Sequence, residues 1–276
     1  SHFINQLEDG ILGLSKKNRG ALWYQMYQAK RIAEKSFSLC FGRQPIEGRQ
    51  GTNIGVMSMG GYNANLHHSP MVFARDYGSD LYTVYVEAVY LRTNGGESAS
   101  VDLPSQHTVH KINISEGELN SDPVIVDSGA TYTYFNKQIM TPFKETWKEI
   151  TGFDYRVDVP LSLTYEQVLA LPTLIIQMRA DPNSLTNGEL NSVANLAGDI
   201  DPSSPSSIII AVPASHYMTY TKHGKYKPEL YIDHHGRSLL GANTMQGHDV
   251  FFDLQHERIG WAESTCGNDN FRPDSR

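Results

Sequence analysis

Val124-Ile125-Val126-Asp127-Ser128-Gly129-Ala130-Thr131 decides how this chain is read. Three β-branched residues in a row predict a buried strand, and the strand runs straight into an acid, a hydroxyl residue and a glycine. A carboxylate at the end of an apolar strand loses hydration, which is costly unless hydrogen bonds replace the water. The Ser128 hydroxyl and the Gly129 amide are the nearest donors, and glycine permits the tight turn that aims them back at the acid. Two readings of this octapeptide are open. It is either a carboxylate prepared for chemistry or a plain strand-to-turn junction.

Outward from it, the chain reads mostly as short strands. Thr83-Val84-Tyr85-Val86, Leu174-Ile175-Ile176, Ile208-Ile209-Ile210 and Val250-Phe251-Phe252 are rich in β-branched and aromatic residues, with Gly, Pro, Asn, Asp and Ser clusters between them. Runs that are apolar on both faces predict strands covered by a layer on each side. Two segments have helical periodicity. One is residues 20–35, with Leu22, Met26, Ala29, Ile32 and Ala33 recurring. The other is residues 136–150, with Ile139, Met140, Phe143, Trp147 and Ile150 on one side. Residues 43–53, 93–121 and 183–207 are expected to be surface loops. There is no exact repeat, but Ile11-Leu12-Gly13 and Leu239-Leu240-Gly241 echo each other as two aliphatics followed by glycine.

Composition excludes several classes. With 276 residues, 39% hydrophobic and 19% charged, the chain has the make-up of a globular protein with an ample core. A net charge of −7 and the lack of a basic cluster argue against nucleic acid as a partner. No apolar run is long enough to span a bilayer, so no membrane anchor is visible, and the first residues carry no signal-peptide pattern but read as the middle of a longer sequence. The histidines His67-His68, His234-His235, His248 and His256 lack zinc-ligand spacing, and the pairs His67-His68 and His234-His235 are expected to be exposed, so no metal and no cofactor is expected. Asp233, Asp249 and Asp253 are read as turn and strand-edge acids. Cys40 and Cys266 are either two buried thiols or one long-range disulfide. Asn113-Ile114-Ser115 is an N-glycosylation triplet and tilts the reading toward a secretory compartment.

The wider pattern resembles the pepsin-like aspartic proteases nearly from end to end. Asp9-Gly10-Ile11-Leu12-Gly13-Leu14 is similar to the segment near the end of that family's N-terminal lobe. Phe37-Ser38-Leu39-Cys40 and Gly55-Val56-Met57-Ser58-Met59-Gly60-Gly61-Tyr62 resemble its interlobe strand pair, and Tyr82-Thr83-Val84 the strand that follows. Asp127-Ser128-Gly129-Ala130-Thr131 matches the second Asp-Ser/Thr-Gly motif, and residues 209–217, with Pro213 and Tyr217, the segment before the last hairpin. Leu239-Leu240-Gly241, Asp249-Val250-Phe251-Phe252-Asp253 and Arg258-Ile259-Gly260-Trp261-Ala262 match the closing strands.

The resemblance implies a mainly β, bilobal fold. Residues 1–48 would be the end of the N-terminal lobe and an interdomain strand, and residues 49–276 the C-terminal lobe with the catalytic loop. It implies an aspartic endopeptidase in which Asp127 is one of two catalytic aspartates, with a peptide or protein as substrate. Leu239-Leu240-Gly241 would support the Asp127 loop, and Ile11-Leu12-Gly13 the loop of the other aspartate. No second Asp-Ser-Gly or Asp-Thr-Gly occurs in the sequence. The expectation is therefore that roughly a hundred residues, with the first Asp and the flap tyrosine, precede residue 1 or lie on a partner chain. Alone, this chain is expected not to cleave peptides.

Residue by residue, Ser128 corresponds to the family's grip residue, Thr131 to a cleft residue, and Tyr132 to a cleft or core aromatic. Ala130 departs from the family's Thr or Ser and cannot donate a hydrogen bond to the carboxylate, so a less acidic activity optimum is expected. Cys40 and Cys266 occupy places that some members join by a disulfide, which would stabilise the fold by about 4–5 kcal/mol in the chain-entropy picture. The implied location is the secretory pathway: lumenal, vacuolar or lysosomal, or extracellular. The rival reading is a pepsin-fold binding or structural subunit without catalysis. A homodimer using two copies of Asp127 is disfavoured, because Ile11-Leu12-Gly13 would then have no loop to support.

Overall fold

The structure is a computed structural model that describes residues 12–42, 55–78, 80–93, 108–157, 159–183, 206–264 and 266. Its strands are β1 Ser36–Phe41, β2 Gly55–Met59, β3 Val72–Arg75, β4 Thr83–Val84, β5 Val86–Thr93, β6 Thr108–Lys111, β7 Val124–Val126, β8 Thr133–Asn136 and β9 Leu161–Ser162. They continue as β10 Thr173–Arg179, β11 Ser207–Val212, β12 Met218–Tyr220, β13 Lys225–Pro228, β14 Leu230–His234, β15 Leu239–Leu240, β16 His248–Asp253 and β17 Arg258–Glu263. Short helices punctuate them: α1 Leu22–Gln28, α2 Glu116–Leu119, α3 Met140–Thr151, α4 Tyr165–Leu169, α5 Ala214–Tyr217 and α6 Ala242–Met245. The protein is mainly β, and each strand expected from the sequence is present.

Four sheets carry the architecture of the described residues, in the strand orders β2-β1-β16-β17-β3, β11-β10-β5-β6, β12-β13-β9 and β14-β8-β15-β7-β4. The first is antiparallel throughout, and β1 enters it beside β16, with Phe37 opposite Phe252. The boundary expected between residues 48 and 49 falls outside the described residues, but β1 and β2 on either side of it are neighbours in this one sheet.

The expectation of strands covered on both faces holds for β10 and β11. Leu174, Ile176, Ile208 and Ile210 join the main core, whereas Ile175, Ile209 and Ala211 form a smaller cluster with Tyr90 and Val109 on the opposite face. Helix α3 turns Phe143 and Trp147 inward, against Tyr155 at 5.0 and 4.9 Å between ring centroids. Each such fully buried aromatic contributes about 2–3 kcal/mol from apolar burial.

Three expectations need correction. The helix expected over residues 20–35 stops at Gln28. Lys30 turns left-handed at φ 54°, and the amides of Lys30 and Arg31 cap the carbonyls of Tyr27 and Met26, so the chain leaves the helix in time to begin β1. The loop expected over residues 93–121 contains β6 and α2. Helix α2 is opened by a capping box in which Ser115 and Glu118 satisfy each other's backbone amides. The third concerns Asp249 and Asp253, which are buried in β16, the middle strand of its sheet, not turn or edge acids. Asp249 pairs with His67 Nε2 at 2.8 Å, and that histidine is buried where exposure was expected. Asp253 accepts from Arg258 Nε at 2.8 Å. The loops expected over residues 43–53 and most of 183–207 lie outside the described residues.

Cys40 and Cys266 are joined in a disulfide, with their Cα atoms 5.3 Å apart. It fastens β1 to the segment after β17 and leaves no free thiol among the described residues.

Candidate active site

Asp127 follows β7 directly, and the sheet around β7 fixes its backbone. Strand β15 lies between β7 and β8, parallel to β7, with Leu239 opposite Ile125 and Leu240 opposite Val126. The Asp127 amide donates to the Leu240 carbonyl at 3.0 Å, and the Val126 amide donates to Tyr82 on the other side at 2.9 Å. A parallel neighbour of only two residues thus holds the strand end from which the acid projects.

Beyond β15 the chain presses against the Asp127 loop from behind. The amide of Ala242 donates to the Ala130 carbonyl at 2.8 Å and that of Asn243 to Thr131 at 3.2 Å. Gly241 makes this approach possible. A Cβ there would stand 2.1 Å from the Tyr132 carbonyl oxygen and 2.8 Å from that of Ala130, which no side chain can do.

A buried polar knot completes the support, and the sequence did not show it. The Thr133 hydroxyl is fully buried; it accepts the Gly241 amide at 3.1 Å, donates to Asn243 Oδ1 at 2.7 Å and touches the Thr244 hydroxyl. Asn243 Nδ2 then donates to the Glu229 carbonyl at 3.1 Å. The available signal was Thr133 as the polar residue on the inward face of a strand whose next inward residue is Phe135.

The carboxylate itself is half-buried, and Oδ1 accepts the Gly129 amide at 2.8 Å. It lines a cleft of about 500 Å³ together with Ser128 and Gly129. Leu12, Gly13, Ser15 and Lys16 also line it, as do Phe37, Tyr82 and Phe252. Thr131 is exposed, and Tyr132 lies outside the core, half-buried with its ring 5.9 Å from that of Tyr231. Burial, and then the nearby Glu229, raises the Tyr132 phenol above its ordinary range.

Residues 14–16, which line the same cleft, are fastened by contacts that the sequence did not suggest either. Tyr82 donates its hydroxyl to the Leu14 carbonyl at 2.8 Å, and Trp23 Nε1 donates to Ser15 at 3.1 Å. Burial, helped by Asp76, pushes the Tyr82 phenol far above its usual range, so it stays a donor at any working pH. Lys16 pairs with the buried Asp76 at 2.7 Å, and Asp76 also accepts the amides of Gly78 and Thr83.

This is the frame of one acid loop, a two-residue parallel strand and a glycine packed on the loop's backbone. Residues 1–264 match the family described as "Eukaryotic aspartyl protease".

The chain belongs to the eukaryotic aspartyl protease family.

Among curated proteins it resembles a protein named "Beta-secretase" from Strongylocentrotus purpuratus, 24% identical over 230 residues. That alignment covers 77% of this chain and 36% of the relative, so the chain spans about a third of the length of the relative it matches. Membership in the aspartyl proteases does not make the two aliphatic-aliphatic-glycine segments equivalent here. Ile11 lies outside the described residues, and Leu12 and Gly13 form no strand. Leu12 is 57% exposed, and among the described residues a Cβ on Gly13 would meet nothing within 4 Å. Asn113 is exposed. Among the described residues, no cluster of three or more His, Cys, Asp or Glu side chains can hold a metal ion, and no helix is long and apolar enough to cross a membrane.

Proposed function

We propose that this chain supplies Asp127 as one of the two catalytic aspartates of an aspartic endopeptidase. The observation that carries this is the placing of a half-buried carboxylate, held by the Gly129 amide, on the wall of a cleft open to a peptide. Residues 49–276 would form one lobe and residues 1–48 the end of the other, with β1 crossing between them.

Catalysis of this kind needs a second carboxylate close to Asp127. Two acids that share a proton cannot both ionise, so one is left as a base while the other stays protonated. The base takes a proton from water as the water oxygen bonds to the scissile carbonyl carbon, and the acid gives its proton to the carbonyl oxygen. Proton transfer to nitrogen then lets the C–N bond break, giving a free amine and a carboxylic acid. In this proposal the second carboxylate would come from an N-terminal lobe segment of the same gene product or of a separate chain.

Leu12 and Gly13 support a seat for that segment. The glycine of the matching Leu239-Leu240-Gly241 segment has a loop pressed against it, whereas Gly13 meets nothing among the described residues and Leu12 is exposed beside the same cleft. Covering Leu12 would contribute about 1–2 kcal/mol to docking. The disulfide, the family and the Asn113 triplet support a secretory, lysosomal or extracellular location.

Ala130, where a hydroxyl donor is usual, favours a second reading, a pepsin-fold binding subunit that no longer cleaves. Binding of a statine-type peptide to the full-length protein at acidic pH separates the two. The proteolytic reading expects binding that weakens at least a hundredfold in Asp127→Asn. Equal binding by both proteins overturns it.

A further inference from the structure

Asn113 stands where a group can be attached only from outside. Ile112 and Ile114 on either side are 0% and 9% exposed, while Asn113 is open to solvent. The Ile114 amide donates to the Ile112 carbonyl at 2.9 Å, which closes a three-residue turn with Asn113 at its apex. The Ile112 amide in turn donates to Val89 at 2.9 Å, so the apex follows β6, one of the two edge strands of its sheet among the described residues. Both isoleucines are drawn inward and the carboxamide between them is left out.

The hydroxyl of the same triplet has another task once the protein is folded. Ser115 Oγ accepts the Glu118 amide at 3.2 Å and donates to Glu118 Oε2 at 2.7 Å, while the Ser115 amide donates to that carboxylate at 3.0 Å. Transfer of a glycan to asparagine requires the hydroxyl two residues on to be presented to the transferase. The cap of α2 and the transferase therefore compete for one oxygen.

We propose that Asn113 carries an N-linked glycan and that the glycan is attached before α2 is capped, on the nascent or unfolded chain only. Asn113 Nδ2 bonds to the first carbon of an oligosaccharide as the bond from that carbon to a lipid pyrophosphate breaks. Nδ2 loses one proton and the lipid pyrophosphate departs. The proposal rests on the secretory location argued above, and the test keeps the two apart.

The full-length protein and Asn113→Gln are produced in a eukaryotic secretory host and weighed before and after N-glycosidase treatment. The same protein, made without glycans, is then offered to microsomal transferase and a lipid-linked oligosaccharide, once folded and once reduced and unfolded. The expected result is one glycan more on the wild type than on Asn113→Gln, and modification of the unfolded chain at least tenfold faster than of the folded one. Equal masses in a protein whose Cys40–Cys266 bond has formed overturn the proposal and spare the location. Equal masses with the cysteines reduced overturn both. Equal rates for folded and unfolded chains overturn the order of events.

Discussion

The carbonyl of Leu240 accepts the amide of Asp127 at 3.0 Å, so the acid is held from behind by a strand 113 residues further along the chain. The loop's position depends on how closely that strand and the turn after it can approach.

Gly241 sets the approach. Gly241→Ala places a methyl 2.1 Å from the Tyr132 carbonyl oxygen and forces the Asp127 loop forward. The expected outcome is a loss of about 2–3 kcal/mol in chemical denaturation, in the range of overpacked cores. A fall of about a hundredfold or more in peptide hydrolysis by the full-length protein should accompany it, since misplacement of a reacting group by 1 Å has that effect.

Thr133 satisfies three partners from one buried oxygen. Thr133→Val is nearly the same shape and leaves the Gly241 amide and Asn243 Oδ1 unpaired. Denaturant titration should show a loss of about 2–3 kcal/mol, the cost of buried polar groups without partners. Thr133→Ser should recover most of it.

Ala130 bears on the pH profile. Restoring a hydroxyl with Ala130→Thr offers the ionised carboxylate a hydrogen bond, favours the charged form, and so moves the acidic limb of activity to lower pH. A pH–rate profile of the full-length protein before and after the change measures this. The fall in activity on acidification should begin at a lower pH in the variant.

Lys30 ends α1 with φ at 54°, a conformation that costs a side-chain-bearing residue about 1 kcal/mol or more. Lys30→Gly removes that cost and should stabilise the protein by roughly 1 kcal/mol, raising the midpoint of urea denaturation without changing activity.

The strands were legible because their signal is local. Val124-Ile125-Val126 and Ile208-Ile209-Ile210 announce themselves by composition, and the acid at the end of the first marks a junction where burial and charge meet. Helix α2 was legible too, through the Ser115-Glu116-Gly117-Glu118 capping pattern, but it was hidden inside a stretch read by its turn residues. The end of α1 was not, since a lysine in the left-handed region carries none of the signal that a glycine would.

Contacts between distant residues leave no such trace. His67 and Asp249 are 182 residues apart and meet at 2.8 Å, yet each alone looks like a surface polar residue. The same holds for Lys16 with Asp76 and for Thr133 with Asn243. The echo between Ile11-Leu12-Gly13 and Leu239-Leu240-Gly241 was visible as spelling. Only the carbonyl oxygens crowding Gly241, and the open space at Gly13 among the described residues, show that one segment has its loop beside it.

Hydrolysis of a peptide library at acidic pH by the full-length protein, wild type against Asp127→Asn, tests the central claim most directly. Cleavage by the wild type and a loss of at least a thousandfold in the variant, with the Cys40–Cys266 bond intact in both, is the predicted result. Undiminished cleavage by Asp127→Asn, or none by the wild type, would contradict it.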